Sequence, residues 1–429
     1  MLENLIGQED VKTLLCSELE RKELPGSMLF EGPPLSAKLS ASLELARILS
    51  CDRLAEWNCP CEQCARHRAL THQDMLILGP KSFREELAIG AAMMERAPGV
   101  ASRYFFVRAA RKLIRRFDRE LYEGEESRLS KALPLVRQVI EGLDVCAPAK
   151  VGSGSDDVAV AKEATKLLGI CAKLEDMLPA ATPVFQVRSM EFWARLAPYG
   201  KRKTIIIEHA DTMLDSSRNA LLKILEEPPS HVVFVLTTSR RQAIIPTILS
   251  RVRRYRFIQR TGSDAKAVIE RIFKDTSSGL ASVGEYVAGY RASSHDKLQD
   301  LAQLYAAALA AEANRRGSLF SDGPLSILAA QGAGAGSALS EALAATSNFG
   351  SSDEAFAYTF PAFLDATGSA FASLLRQPGS GIETQRVVER YARLARDAMM
   401  RYSTYNLQPA ALAERLADAF AQPFEGPSS

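Results

Sequence analysis

Short apolar runs alternate with longer amphipathic stretches through residues 1–260 of the chain. The apolar runs are rich in β-branched residues and too short for buried helices, so we predict strands at residues 27–30, 75–78, 204–207 and 232–236. The amphipathic stretches between them, such as residues 11–19 and 37–49, predict helices. Strands that are apolar throughout and alternate with helices are typical of a parallel sheet covered on both faces. The pattern therefore predicts an α/β domain.

Two further regions carry helical patterns without strand patterns. Residues 85–183 interrupt the alternation of strands and helices, and we interpret them as a helical insertion in a first domain that spans residues 1–260. Residues 261–300 predict a small helical lid, and residues 301–429 predict a second helical domain. A stretch of Gly, Ala and Ser at residues 331–337 predicts a flexible connection within it.

The composition is that of an ordinary soluble protein, with 47% hydrophobic and 24% charged residues. No uncharged apolar run approaches the ~18–20 residues that span a bilayer, and the N-terminus lacks the pattern of a secretory signal. We therefore expect a cytoplasmic protein that does not contact membranes. The net charge of +2 gives little overall attraction to nucleic acid, so any DNA contact must come from local patches.

A candidate phosphate-binding loop follows the first predicted strand. Such loops read G-x-x-x-x-G-K-[ST]; their backbone N–H groups and Lys hold phosphates, and the hydroxyl binds magnesium. The chain keeps Gly32 and Lys38 but has Ala37 for the second glycine and Leu39 for the hydroxyl residue. Ala is strained in conformations that glycine adopts freely, and Leu39 cannot ligate magnesium. The loop therefore predicts a degenerate nucleotide site.

Residues 219–251 carry the most specific pattern in the chain. A leucine-rich helix ends at two glutamates and two prolines, residues 226–229, because proline cannot continue it. A buried strand follows and ends in polar residues that include Thr238, and the stretch closes with Ser250 and Arg251. This pattern resembles the core of the clamp-loader branch of the AAA+ ATPases. The resemblance implies an AAA+ core in which Thr238 senses phosphate.

The same resemblance gives the other parts of an ATP site. Glu208 follows the apolar run at residues 204–207 and would stand for the magnesium carboxylate. His209 takes the place of the water-activating Glu, and His295 in the predicted lid takes the place of the γ-phosphate arginine. These two losses, added to those in the loop, predict that the chain neither hydrolyses ATP nor binds it productively. Weak nucleotide binding without turnover stays open, but we favour a vestigial loop that is kept for packing.

Ser250 and Arg251 resemble the clamp-loader motif whose arginine reaches across a subunit interface. The resemblance implies that Arg251 is an arginine finger for a neighbour's γ-phosphate, a role that can change rates by orders of magnitude. The alternative is a surface arginine in a basic run, since Arg253, Arg254 and Arg256 follow.

Four cysteines lie within fourteen residues, at Cys51, Cys59, Cys61 and Cys64. Thiolates at short spacing are the ligands that structural zinc prefers, so we predict a zinc module over residues 51–64. Cys59 is one residue closer to Cys61 than in the clamp-loader pattern, so His67 is an alternative fourth ligand. Reduced thiols without a metal are the other alternative. The isolated cysteines at 16, 146 and 171 are predicted to be buried thiols.

Cationic residues recur at helical spacing within the predicted insertion, at positions 108, 111, 112, 115, 116 and 119. They could contact a DNA backbone. We interpret them instead as a solvated helix face that pairs with nearby acidic residues.

The best overall resemblance is to the delta-prime subunits of bacterial DNA polymerase III clamp loaders. It implies a non-hydrolysing stator with gamma/tau and delta subunits, the sliding clamp and primer–template DNA as partners. Residues 405–412 resemble the turn before the last helix of the clamp-loader collar, which makes residues 301–429 a predicted oligomerisation collar. Two alternatives remain: a gamma/tau-type ATPase, favoured by Lys38, and a non-replicative AAA+ adaptor that binds its partner through residues 85–183.

Overall fold

The structure is a computed structural model that describes residues 1–151, 156–317, 323–333, 340, 343–344, 360–405 and 407–422. The side chains of residues 291–297, 333 and 403–405 are outside this description. The chain forms two units, Met1–Tyr290 and Arg291–Ser429. The predicted boundaries after residues 260 and 300 remain predictions.

A five-stranded sheet organises the first unit. Its strands lie in the order β2-β3-β4-β1-β5, and every neighbouring pair is parallel. The strands are β1 (Ser27–Glu31), β2 (Met75–Leu78), β3 (Lys203–Ile207), β4 (Val232–Thr238) and β5 (Arg253–Arg256). The first four are buried along nearly their whole length, as continuous apolar runs require. The predicted parallel sheet and its four strands are confirmed.

Sequence analysis missed β5. This strand lies at one edge of the sheet, and only Tyr255 of its four residues is buried. The Tyr255 ring packs edge-on against Phe30 at 5.4 Å, and its hydroxyl donates to the Glu18 carboxylate. One aromatic among three arginines does not give the apolar run by which the other strands were recognised.

Helices cover the sheet and connect its strands. Those of the first unit are α1 (Glu9–Arg21), α2 (Lys38–Ser50), α3 (Glu62–Arg68), α4 (Arg84–Arg96), α5 (Val100–Ile114), α6 (Glu126–Val145), α7 (Asp157–Asp176), α8 (Val184–Arg195), α9 (Asp215–Glu226), α10 (Pro246–Leu249) and α11 (Gly262–Val268). A π-helical turn, Ile269–Phe273, follows α11. Helix α12 (Val283–Arg315) begins in this unit.

The interstrand helices, α4 to α7 over residues 84–176, connect β2 to β3. Helix α4 packs against α5 and α7, and α6 packs against α7. The prediction of a solvated face is wrong, since Arg119 is the only one of the six cations that is exposed. Lys112 is buried and paired with Glu86, and Arg116 is buried and paired with Glu208. Pairing with acids far along the chain lets these cations lie inside the fold.

The second unit is helical. It contains most of α12, followed by α13 (Gly323–Ala333), α14 (Phe360–Leu374), α15 (Ile382–Tyr405) and α16 (Pro409–Phe420). The Tyr305 hydroxyl donates to the carbonyl of Ala413 at 2.6 Å, and the Phe371 ring lies against Tyr391 and Phe420. Residues 334–337 and Asn406, on which two of our predictions rest, lie outside the described residues. Across the described ranges, no helix combines the length and hydropathy that crossing a membrane needs.

Candidate functional site

The phosphate-type loop follows β1 at the carboxyl edge of the sheet. Gly32 opens it with φ +155°, and its N–H donates to the carbonyl of Thr238 at 3.2 Å. A Cβ at Gly32 would lie 2.3 Å from the carbonyl oxygen of Phe257. Only glycine fits at this position, so the retained Gly32 is explained by close backbone approach.

Ala37 adopts the left-handed conformation, with φ 70° and ψ 20°, immediately before α2. This is the region that glycine enters freely, and a residue with a Cβ is strained there by ~1–2 kcal/mol. The loop therefore keeps a turn suited to the missing glycine and tolerates Ala in it.

Lys38 bends back onto its own loop. Its Nζ donates to the carbonyls of Gly32 at 2.6 Å and Pro33 at 2.5 Å, and lies 3.3 Å from the Ser36 hydroxyl. Desolvation lowers the pKa of Lys38 to about 8, and the nearby Asp211 charge opposes that shift. The amine is thus engaged by loop oxygens.

Leu39 packs into an apolar cluster. Its neighbours there come from α2, β2, β3 and the loop before β2: Leu43, Ala46, Leu70, Met75, Ile77 and Ile206. The side chain supplies packing where a magnesium site needs a hydroxyl.

The carboxylate of Glu208, directly after β3, forms an ion pair with Arg116. Arg116 Nη2 donates to Glu208 Oε2 at 2.5 Å, and the two side chains are 4% and 14% exposed. Magnesium requires oxygen ligands in a nearly ideal octahedron. With Leu39 in place of the hydroxyl and Glu208 paired to a guanidinium, the residues present do not fit a magnesium ion.

Asp211 is a buried acid of the site that sequence reasoning missed. Its Oδ1 accepts from the Thr238 hydroxyl at 2.8 Å, and its Oδ2 accepts from Arg240 Nε at 2.9 Å. Thr238 at the end of β4 is therefore held by a carboxylate. The sequence shows an acidic residue three positions after Glu208, but this position is not part of the ATP-site motif.

His209 and His295 were predicted to replace two catalytic residues. His209 lies in a left-handed turn after β3, and its backbone N–H donates to Thr237 Oγ1 at 3.3 Å. The side chain of His295 is outside the described residues.

Arg251 lies just beyond α10, with its side chain 27% exposed. Its Nη2 contacts Oε2 of Glu226, the last residue of α9, at 3.1 Å, and its Nη1 donates to the carbonyl of Thr247. Ser250 donates to that same carbonyl at 3.1 Å. The α9 end and the α10 turn thus hold the arginine at the surface, paired with a 60% exposed carboxylate.

The predicted zinc cysteines converge on one point. The sulfur atoms of Cys51, Cys59, Cys61 and Cys64 all lie within 4.8 Å of one another. Cys51 Sγ is 3.6 Å from that of Cys59 and 3.9 Å from that of Cys61. Tetrahedral zinc with Zn–S bonds of ~2.3 Å places sulfurs ~3.8 Å apart. The four thiols therefore fit one tetrahedral ion.

A buried arginine supports this cluster. Arg47 is 1% exposed, pairs with Glu44 at 2.6 Å and donates from Nη1 to Cys64 Sγ at 3.0 Å. Such a donor offsets part of the negative charge that grouped thiolates carry. Of the isolated cysteines, Cys146 and Cys171 are buried as predicted, whereas Cys16 is only half-buried.

His67 does not join the cysteine group. It is buried and stacks on His72, with ring centroids 4.0 Å apart. His72 Nδ1 accepts from the backbone N–H of Asp74, so its Nε2 carries the proton and donates to Gln63. The structure therefore gives Cys59, rather than His67, as the fourth member.

Comparison with known proteins identifies the family. The profile described as DNA polymerase III, delta subunit matches residues 7–126 and 151–261, which is more than half of the chain. The chain belongs to that family. The resemblance to the clamp-loader family of DNA polymerase III is thereby confirmed. Between residues 7 and 261 the profile leaves out residues 127–150 alone, so it also matches most of the region that we interpreted as a helical insertion, residues 85–183.

Curated relatives carry two kinds of subunit name. DNA polymerase III subunit gamma/tau of Mycobacterium bovis is 34% identical over 90 residues, which are 21% of this chain and 16% of the relative. Subunit delta′ of Pseudomonas aeruginosa is 41% identical over 69 residues, 16% of this chain and 21% of the relative. The chain thus spans only about a fifth or less of these relatives' lengths.

A solved structure of a DNA polymerase III gamma subunit-related protein from Thermotoga maritima also matches. The match covers 56% of this chain and 78% of that chain, with 17% identity and a TM-score of 0.31. At this TM-score the likeness does not bear on the fold.

Proposed function

We propose that this chain is a non-hydrolysing, delta-prime-type subunit of the DNA polymerase III clamp loader. The observation that carries the proposal is the paired Glu208: its carboxylate faces the Arg116 guanidinium where an ATPase would hold magnesium. Leu39, packed in an apolar cluster, removes the other magnesium ligand. The chain's own nucleotide site is therefore degenerate. Its similarity to delta′ subunits is the reason that we propose this type of subunit.

Arg251 is the residue by which such a subunit would act. It lies at the surface, held by the ends of α9 and α10, and it would reach the γ-phosphate of a neighbouring gamma/tau subunit, with Ser250 beside it. Charge stabilisation of this kind is strongest where water is excluded, as in a subunit interface. Glu226 is its partner in the single chain, and a bound triphosphate would compete for the same guanidinium.

The partners follow from the proposed assembly. They are the gamma/tau and delta subunits, the sliding clamp, and primer–template DNA through the assembled complex. Residues 261–300 are the proposed lid, and residues 301–429 are the proposed collar through which the subunits associate.

A gamma/tau-type ATPase is the second candidate, because the gamma/tau relatives match this chain over 90 residues. Lys38 and Gly32 suit that function. The Lys38 amine is engaged by loop oxygens, however, and the two magnesium positions are unsuited to a metal. The delta-prime type therefore accounts for more of the site.

We assign structural Zn²⁺ to Cys51, Cys59, Cys61 and Cys64. Four protein ligands would close the coordination shell, so the ion would hold the loop between α2 and α3 rather than take part in chemistry.

The decisive test is an Arg251→Ala chain reconstituted with gamma/tau and delta subunits. We expect normal assembly but a DNA-stimulated ATPase reduced about 100-fold or more at the site the arginine serves. Arg254→Ala is the matched control, because Arg254 is an exposed arginine three residues away. This variant should keep full activity. Unchanged ATPase with Arg251→Ala, or rapid turnover by the isolated wild-type chain, would refute the proposal.

A further inference from the structure

A side chain from the segment between β2 and β3 reaches the degenerate nucleotide site. Arg116 lies in a short 3-10 turn after α5, and its side chain is 4% exposed. It lies over the Phe83 ring at 5.4 Å and donates to Glu208. Gly79, with φ +150°, leaves room for it, because a Cβ there would lie 3.0 Å from Arg116 Nη2. The surroundings on three sides therefore define this arginine's position.

Each residue of the Arg116–Glu208 pair compensates the buried charge of the other. Removing one partner of a buried ion pair leaves the other charge uncompensated, which is far more costly than the pair itself. A divalent cation that approached Glu208 would have to displace a buried guanidinium with nowhere solvated to go. Arg116 Nε and Nη1 lack hydrogen-bond partners among the described residues, so Glu208 is the carboxylate that this guanidinium hydrogen-bonds, and Asp118 adds a second, smaller electrostatic contribution.

We propose that Arg116 is the resident cation of this site and takes the place of the divalent metal at Glu208. The fold itself then makes the site unsuited to magnesium. The segment between β2 and β3 places the fixed positive charge of Arg116 where an ATPase binds an exchangeable metal ion. This inference deepens the proposed function and rests on it for its biological meaning, but it concerns the chain alone.

The test uses the full chain in four forms: wild type, Arg116→Met, Glu208→Gln and the double variant. Mn²⁺ binding is measured by electron paramagnetic resonance of the free ion, and stability by the midpoint of thermal unfolding. We expect wild type and Glu208→Gln to bind Mn²⁺ equally, since the carboxylate is not free for metal. Each single variant should lower the midpoint, and the double variant should lose clearly less than the two losses added.

Arg119→Met is the matched control, because Arg119 is an exposed arginine three residues further along. It should leave the midpoint unchanged. Glu208-dependent Mn²⁺ binding by wild type, or additive losses in the two single variants, would overturn the inference. The Mn²⁺ comparison needs no Arg116 variant, so it stands even if Arg116→Met does not fold. Either result leaves the Arg251→Ala test of the proposed function untouched.

Discussion

Lys38 shows at the residue scale how a motif residue can be present without its chemistry. Its amine donates to the carbonyls of Gly32 and Pro33, and burial disfavours its charge. Sequence comparison sees only that the lysine is retained. The bent-back side chain depends on the loop's own path through the left-handed Ala37, which a single sequence does not give.

Lys38 should titrate well below an ordinary lysine. We expect a pKa of about 8 against the usual 10.5. The folded chain then releases this proton before the unfolded chain does, so this group makes stability rise as pH increases from about 8 to 10.5. Reductive ¹³C-methylation followed by NMR titration measures it, and Lys38→Arg identifies the resonance. A midpoint at the usual value would contradict the described loop.

At the element scale, the strands show which patterns can be interpreted from sequence. Four strands are buried along nearly their whole length and each contains an uninterrupted apolar run of at least three residues, so a short window identifies them. The edge strand β5 needs only Tyr255 inside and escaped notice. The interstrand helices were recognised as helices, but their cations were assigned to solvent. Their partners lie far along the chain, as Glu208 does from Arg116, and pairing at that distance leaves no periodic signal.

The loop between α2 and α3 should depend on one metal ion. We expect about one zinc per chain, and cobalt substitution should give the absorption of a tetrahedral four-thiolate site. Cys64→Ser should lose the metal and lower the unfolding midpoint, because the buried Arg47 loses its sulfur partner as well. Cys16→Ser, a half-buried thiol outside the cluster, should change neither. A metal-free wild-type chain with normal stability would rule the assignment out.

For the whole molecule, the sequence predicted the α/β character of the first unit and the helical character of the second. It also predicted the cysteine group, because short spacing alone brings those ligands together. It could not predict which acids and bases meet at the carboxyl edge of the sheet, since the pairs of Asp211 with Arg240 and Glu208 with Arg116 depend on tertiary packing. A group of ligands that are close in sequence could therefore be predicted, whereas ion pairs between residues far apart in the chain could not.

Two fragments of the chain, divided before α12, should also separate the proposed zinc binding from the proposed association with other subunits. Several apolar side chains of the second unit are exposed, among them Ile327, Ile382 and Met400, which a subunit interface would cover. We expect a chain of residues 283–429, cut before α12, to associate with gamma/tau and delta subunits in size-exclusion chromatography. Residues 1–280 should keep the zinc but fail to assemble. If residues 1–280 alone joined the complex and residues 283–429 did not, the second unit would not be a collar.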